Sequence, residues 1–151
     1  MSRSVVLLSL VFGFAVLHTG RFTAAAAPQT TAAAAGAVTL DYETFKAKVQ
    51  PILMAKRKGH ARCVSCHAQG GGDSYLEPLP PGASSYTDDQ SRRNFERVQR
   101  LVTPGDPMKS LLLTNPLAED AGGSHWHGGG KHWQSQTDPE WQTLAAWVRG
   151  R

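Results

Sequence analysis

Cys63-Val64-Ser65-Cys66-His67 is the stretch on which the reading of this chain turns. It holds both cysteines of the sequence, three positions apart, with a histidine directly after the second. On a helical turn, residues three apart face the same side, so both sulfurs point to one surface and the imidazole follows them. A disulfide between them would close a very small ring, a poor stabiliser of a whole domain. Zinc modules usually repeat such a pair, and here only distant histidines are on offer. A thioredoxin-like pair belongs in a βαβ frame, which the flanking sequence lacks.

The pattern Cys-x-x-Cys-His is instead that of covalent haem c attachment. Thioethers from Cys63 and Cys66 would tie two vinyl groups on one edge of the porphyrin. His67 would then lie under the iron as its proximal ligand, because neutral imidazole is a good axial ligand. The motif occurs once, so one covalent haem c is expected. The distal ligand is sought C-terminal to the motif, where the candidates are Met108, His125, His127 and His132. Met108 could reach iron from a loop, or it could simply begin a helix. His127 sits in His127-Gly128-Gly129-Gly130, where glycines let backbone approach a flat ligand.

Working outward, the N-terminal residues 1–27 read as a secretory signal peptide. Arg3 supplies the positive region, Val5 to Leu17 the apolar run, and Ala24 to Ala27 the small residues for cleavage. The apolar run is shorter than the ~20 residues that span a bilayer, so no membrane span is expected in the mature chain. Residues 28–37, rich in Ala and Thr, read as a low-complexity leader with nothing to pack. The folded domain is expected over 38–151. The net charge of +4 includes Arg3 and Arg21; without them 14 basic residues face 12 acidic ones, or +2. No basic run with interleaved aromatics points to nucleic acid. The location implied is the periplasm or the exterior.

Within 38–151 the pattern is helical. Asp41 is placed to cap a helix whose stripe is Phe45, Val49, Ile52 and Leu53, and Pro51 is expected to interrupt or kink it. Ala68 to Tyr86 is a long Gly/Pro-rich loop of the kind that usually has a job. A second helix is expected from Thr87-Asp88-Asp89, with Phe95, Val98, Leu101 and Val102 on its apolar side. A short helix is expected over Pro107 to Leu113, then a Gly-rich loop over Ala121 to His132. The last helix should start at Thr137 or Asp138, with Pro139 in its first turn and Trp141, Leu144, Ala145, Trp147 and Val148 facing inward. No stretch alternates as a strand does, so the class expected is all-α: three to five helices with long loops.

The chain resembles the small secreted monohaem cytochrome c-like domains of bacteria. The likeness begins at Phe45…Val49-Gln50-Pro51-Ile52-Leu53 and Cys63-Val64-Ser65-Cys66-His67. It continues through Pro104-Gly105-Asp106-Pro107…Ser110-Leu111-Leu112. It ends with His127-Gly128-Gly129-Gly130…Trp133…Asp138-Pro139…Trp141…Leu144…Trp147-Val148. The resemblance implies a cytochrome c-like fold around one haem, its first and last helices crossing near the haem edge. It also implies His127 as the distal ligand, although His125 and His132 flank it. The function expected is one-electron transfer with redox partner proteins, by a carrier that is not itself an enzyme. Two other roles share the motif: an electron-accepting subunit of a larger dehydrogenase or respiratory complex, and an open-site haem sensor or peroxidase-like enzyme. The last requires a vacant sixth iron position.

Overall fold

The computed structural model describes residues 37–70 and 74–150. The expected signal peptide, the leader up to residue 36 and Gly71-Gly72 of the first loop lie outside the described residues. The described residues group as one compact unit. Among the described residues the structure is helical, as expected, and Leu117 and Trp133 form an isolated bridge rather than a strand. None of the described helices is long and apolar enough to cross a membrane.

The first helical segment, α1 over 42–54, begins where Asp41 accepts a hydrogen bond from the Thr44 backbone N–H at 2.6 Å. Pro51 neither ends this segment nor breaks it. Proline lacks an N–H, and its ring collides with the carbonyl four residues back. Here Phe45–Val49 is π-helical, and the Gln50 N–H reaches back five residues to the Phe45 carbonyl. The wider turn carries the chain past Pro51, and helix resumes over Gln50–Met54. The expected interruption is thus a local change of pitch.

Four further helices follow: α2 over Cys63–His67, α3 over Asp88–Val98, α4 over Leu111–Thr114 and α5 over Pro139–Val148. A 3-10 turn, Gln99–Leu101, extends α3. The single short helix expected over 107–113 is two pieces, a 3-10 turn at Pro107–Lys109 and then α4. Ser110 divides them, extended at φ −95° and ψ 113°. Its Oγ donates to the Asp106 carbonyl at 2.8 Å and accepts from the Thr103 N–H at 3.0 Å, a local bonding pattern that competes with helix.

The core is where α1, α3 and α5 meet. Phe45, Val49, Leu53, Trp141, Leu144 and Trp147 are all buried. The Phe45 ring lies 5.6 Å from that of Trp147 and 5.4 Å from that of Phe95, within the range of favourable aromatic pairs. Trp147 Nε1 donates to the Asp41 carbonyl at 2.9 Å, which ties the end of the chain to the start of α1. A buried polar set fixes α1 against α3: Gln50 Nε2 donates to Ser91 Oγ at 3.0 Å, and Asn94 Nδ2 donates to Gln50 Oε1 at 3.3 Å. Asn94 Oδ1 also accepts from the Glu77 N–H at 2.7 Å, and Tyr86 donates to the Glu77 carbonyl at 2.7 Å. These two bonds anchor the long loop after α2.

Helix α3 starts at a reciprocal cap. Thr87 Oγ1 accepts from the Gln90 N–H at 3.3 Å, and Gln90 Oε1 accepts from the Thr87 N–H at 3.1 Å. Such boxes satisfy two otherwise orphaned donors. Thr87→Ala is expected to cost about 1 kcal/mol, read as a lower urea midpoint with an unchanged slope. An unchanged midpoint would show that the box adds nothing.

Candidate cofactor site

A cavity of about 630 Å³ opens between α2, the end of α3, α4 and the loop 126–133. That volume lies in the roughly 300–1,000 Å³ range of small-molecule and cofactor sites. Its walls carry Cys63, Cys66 and His67 from α2, and His127 and His132 from the loop. Of the residues picked from sequence for the site, these five are brought together. Met108 and His125 do not line the cavity. Met108 Cε sits against Gly122, and the largely exposed His125 ring pairs through Nδ1 with Glu119 at 2.9 Å.

The two cysteines are not joined to each other; Cys66 is exposed and Cys63 half-buried. One helical turn puts both on the cavity side, as their spacing requires. Burial raises the Cys63 thiol pKa, and the Arg57 guanidinium beside it pulls in the opposite direction. Arg57 is itself held. Its Nε pairs with Glu140 at 2.5 Å, and one of its terminal nitrogens donates to the Ile52 carbonyl at 2.9 Å. Trp133 Nε1 donates to the same Glu140 oxygen at 3.2 Å. This group packs α2 against α5.

The His67 ring is braced by Tyr75, whose ring centroid lies 4.3 Å away at 27°. The long loop is drawn to this place by backbone: the Leu76 N–H donates to the His67 carbonyl at 3.0 Å. Tyr75 is buried enough that its hydroxyl pKa is raised well above the usual value.

His127 faces His67 across the cavity. Their ring planes differ by 7° and their centroids are 6.2 Å apart. A metal atom bonded to two imidazole nitrogens at roughly 2 Å each, with about 1 Å more from each nitrogen to its ring centre, sets a centroid separation near 6 Å. The orientation of His127 is set by a tight turn. The Gly130 N–H donates to the His127 carbonyl at 2.9 Å, and His127 Nδ1 lies 2.7 Å from the Gly130 carbonyl. A carbonyl only accepts, so Nδ1 carries the proton and Nε2 keeps its lone pair for a metal. Gly130 adopts φ +81°, a conformation that favours glycine. The turn therefore explains the first and last members of His-x-x-Gly in this segment.

His132 also lines the cavity. Its ring packs against His60 at 4.7 Å. Burial first, and then the nearby Arg57 charge, push its pKa down to about 4, so the ring is neutral at pH 7. Among the described residues, no group of three or more His, Cys, Asp or Glu side chains is arranged to hold a bare metal ion. The pair His67 and His127 instead presents two parallel imidazole rings on the cavity wall.

The chain matches no family model, no curated protein and no solved structure with which it was compared. The site therefore stands on its own geometry.

The cationic residues Arg92, Arg93, Arg97 and Lys131 lie in the segments around the cavity and could pair with the carboxylates of the haem that the sequence leads one to expect. Only Arg97 lines the cavity, and it pairs with Glu77 at 2.7 Å. Arg92 pairs with Asp88 and Arg93 with Glu77, while Lys131 donates to the Asn115 and Ser124 carbonyls. Two arginines that sequence reading passed over, Arg62 and Arg100, do line the cavity. Arg62 immediately precedes Cys63, and Arg100 lies one turn beyond Arg97. The spacing of Arg97 and Arg100 was the available signal, since positions three apart share a helix face. Trp133 is packed and buried, whereas Trp126 is 78 % exposed.

Proposed function

We propose that this chain is an exported monohaem c-type cytochrome that carries single electrons between partner proteins in the periplasm. In this reading Cys63 and Cys66 hold one haem c as thioethers, His67 is the proximal ligand and His127 the distal one. The observation that carries the reading is the parallel pair His67 and His127, 6.2 Å apart, on a cavity whose wall also presents both cysteines. A cytochrome c-like fold is part of the same proposal, and the contact between α1 and α5 through Phe45 and Trp147 supports it.

The group would supply an iron that alternates between ferrous and ferric states. The chain's own residues do the rest. His67 and His127 would hold that iron from its two sides, which would leave no place for a substrate and favours a carrier over an enzyme. The His127 turn engages Nδ1 with the Gly130 carbonyl and so leaves Nε2 as the nitrogen for the metal. The apolar walls, with Leu53, Leu101 and Leu112, keep water away, and burial is one of the levers that set a reduction potential. Two imidazole ligands place that potential below what a Met ligand would give.

The decisive experiment expresses the full chain in a host that attaches haem c. Intact mass is expected to show one covalent haem, absent from Cys63→Ser/Cys66→Ser. Low-temperature EPR with near-infrared magnetic circular dichroism is expected to show bis-imidazole ligation. An unmodified mass would sink the proposal, and a His/Met signature would remove His127 from it.

A further inference from the structure

Beyond α2 the chain turns back onto the end of that helix and is pinned there. Two donors converge on the His67 carbonyl, the Leu76 N–H at 3.0 Å and Ser74 Oγ at 3.3 Å. Ser74 Oγ also accepts from the Gly70 N–H at 2.8 Å. On the far side, Leu76 is 1 % exposed, and the Glu77 N–H donates to Asn94 of α3 at 2.7 Å. Tyr75 is caught between these anchors. Its ring lies against the His67 imidazole, with 4.3 Å between centroids and 27° between planes, and both side chains line the cavity.

The plane of a histidine ring is soft on its own account. Its last torsion joins a tetrahedral carbon to a planar one, and such torsions are broad and roughly two-fold. A flat ring packed on one face removes that freedom, because turning the imidazole would drive its edge into the neighbour, and packed interiors have no slack to absorb this. The plane of His127 is set separately, by the contact of Nδ1 with the Gly130 carbonyl at 2.7 Å. The two imidazoles are thus oriented by different parts of the chain, and their planes agree to 7°. With His127 held by its own turn, a change in the angle between the rings reports on His67.

We infer that Tyr75 is a positioning residue for the proximal ligand: its ring fixes the plane of the His67 imidazole and thereby the parallel alignment of His67 with His127. The inference rests on the haem reading above. Groups outside the ligand set orient metal-binding histidines and tune the metal through them, and Tyr75 does so with an aromatic face. Parallel imidazoles direct their π electrons at the same iron d orbital and separate it in energy from its partner. Crossed imidazoles act on both orbitals and leave them nearly equal. The angle between the rings is therefore a control on the ferric state that ligand identity and burial do not determine. The role needs the ring of Tyr75 and not its hydroxyl.

The test uses the full chain carrying its covalent haem, first checked by intact mass and by the near-infrared signature of bis-imidazole ligation. An unmodified mass or a His/Met signature overturns the functional reading and this inference together. With both checks passed, low-temperature EPR of the ferric wild type should show the three-line rhombic spectrum of parallel imidazoles. Tyr75→Phe should keep those lines, because it keeps the ring. Tyr75→Leu should lose them to the single large-g signal of crossed planes or spread them over a range of g values, with the covalent mass and near-infrared signature retained. Tyr75→Met takes its place should Tyr75→Leu not mature. A further measurement needs no variant: in the ferrous, haem-loaded wild type, nuclear Overhauser contacts should join the Tyr75 ring protons to those of the His67 imidazole. A large-g signal in the wild type, wild-type lines in Tyr75→Leu or Tyr75→Met, loss of the lines in Tyr75→Phe, or absence of the Tyr75–His67 contacts would each overturn the proposal while leaving the haem reading in place.

Discussion

If the proposed haem ligation holds, replacing His127 by alanine is expected to turn a six-coordinate, low-spin haem into a five-coordinate or water-ligated one that binds carbon monoxide when ferrous. The wild-type ferrous spectrum should not change with carbon monoxide, because in the proposed ligation both axial positions would be filled. The covalent mass should be the same in both, since Cys63 and Cys66 are untouched. The expectation comes from the opposed rings of His67 and His127 and from the Gly130 carbonyl that fixes the His127 tautomer. Met108→Ala and His125→Ala serve as contrasts and should leave the spectrum alone, as neither residue lines the cavity. His127→Met should raise the midpoint potential, the direction in which Met/His ligation moves it. A low-spin spectrum in His127→Ala that stays insensitive to carbon monoxide would reject His127 and turn attention to His132, the other histidine of the loop on the cavity wall.

Trp147→Ala is expected to be the most damaging single change outside the site. Trp147 is 1 % exposed, packs on Phe45 and Phe95, and donates to the Asp41 carbonyl. Truncating a buried tryptophan costs about 3–5 kcal/mol through lost burial and the cavity left behind. In a domain of this size that is a fall in Tm on the order of 10–20 °C. Trp147→Phe separates the parts, because it keeps much of the packing and loses the indole donor. It should cost less, though the Asp41 carbonyl loses a buried partner and the smaller ring leaves some space. Thermal unfolding of both variants checks this. Equal losses would place the cost in the hydrogen bond rather than in the packing.

The parts of the fold legible in sequence are those with strong local signals. The stripes of α1 and α5 were readable because Phe45, Val49, Trp141, Leu144 and Trp147 recur at helical spacing. The starts of α3 and α5 were readable because Thr87 and Asp138 are capping residues, and both do cap. Pro51 was misjudged: proline chemistry says that an α turn fails there, but not that a π turn of five residues can replace it. The division at Ser110 depends on its bonds to Asp106 and Thr103, which a helical pattern does not reveal. At the site, Cys63, Cys66 and His67 are contiguous, so their spacing alone placed them on one face. His127 is 60 positions further on. Its separation from Met108 and His125 is a matter of tertiary placement. Tyr75, Arg57 and Glu140 were invisible for the same reason. Each reaches the attachment turn from a distant part of the sequence or from an irregular segment.

The widened turn before Pro51 also bears on how this lineage could change length. A π turn of this kind holds one residue more than the α turn it stands in for. Each helical residue rotates the chain by roughly 100°. A one-residue deletion within 45–49 would therefore be absorbed locally if the stretch relaxed to α-helix, with no gap opened elsewhere. Pro51 works against that relaxation, because its ring needs the space beside the preceding turn. Tolerance of an indel in α1 is thus conditional on residue 51. Loss of the proline would have to come first, or together with the deletion, for Tyr42 and Phe45 to keep their faces toward Phe95 and Trp147.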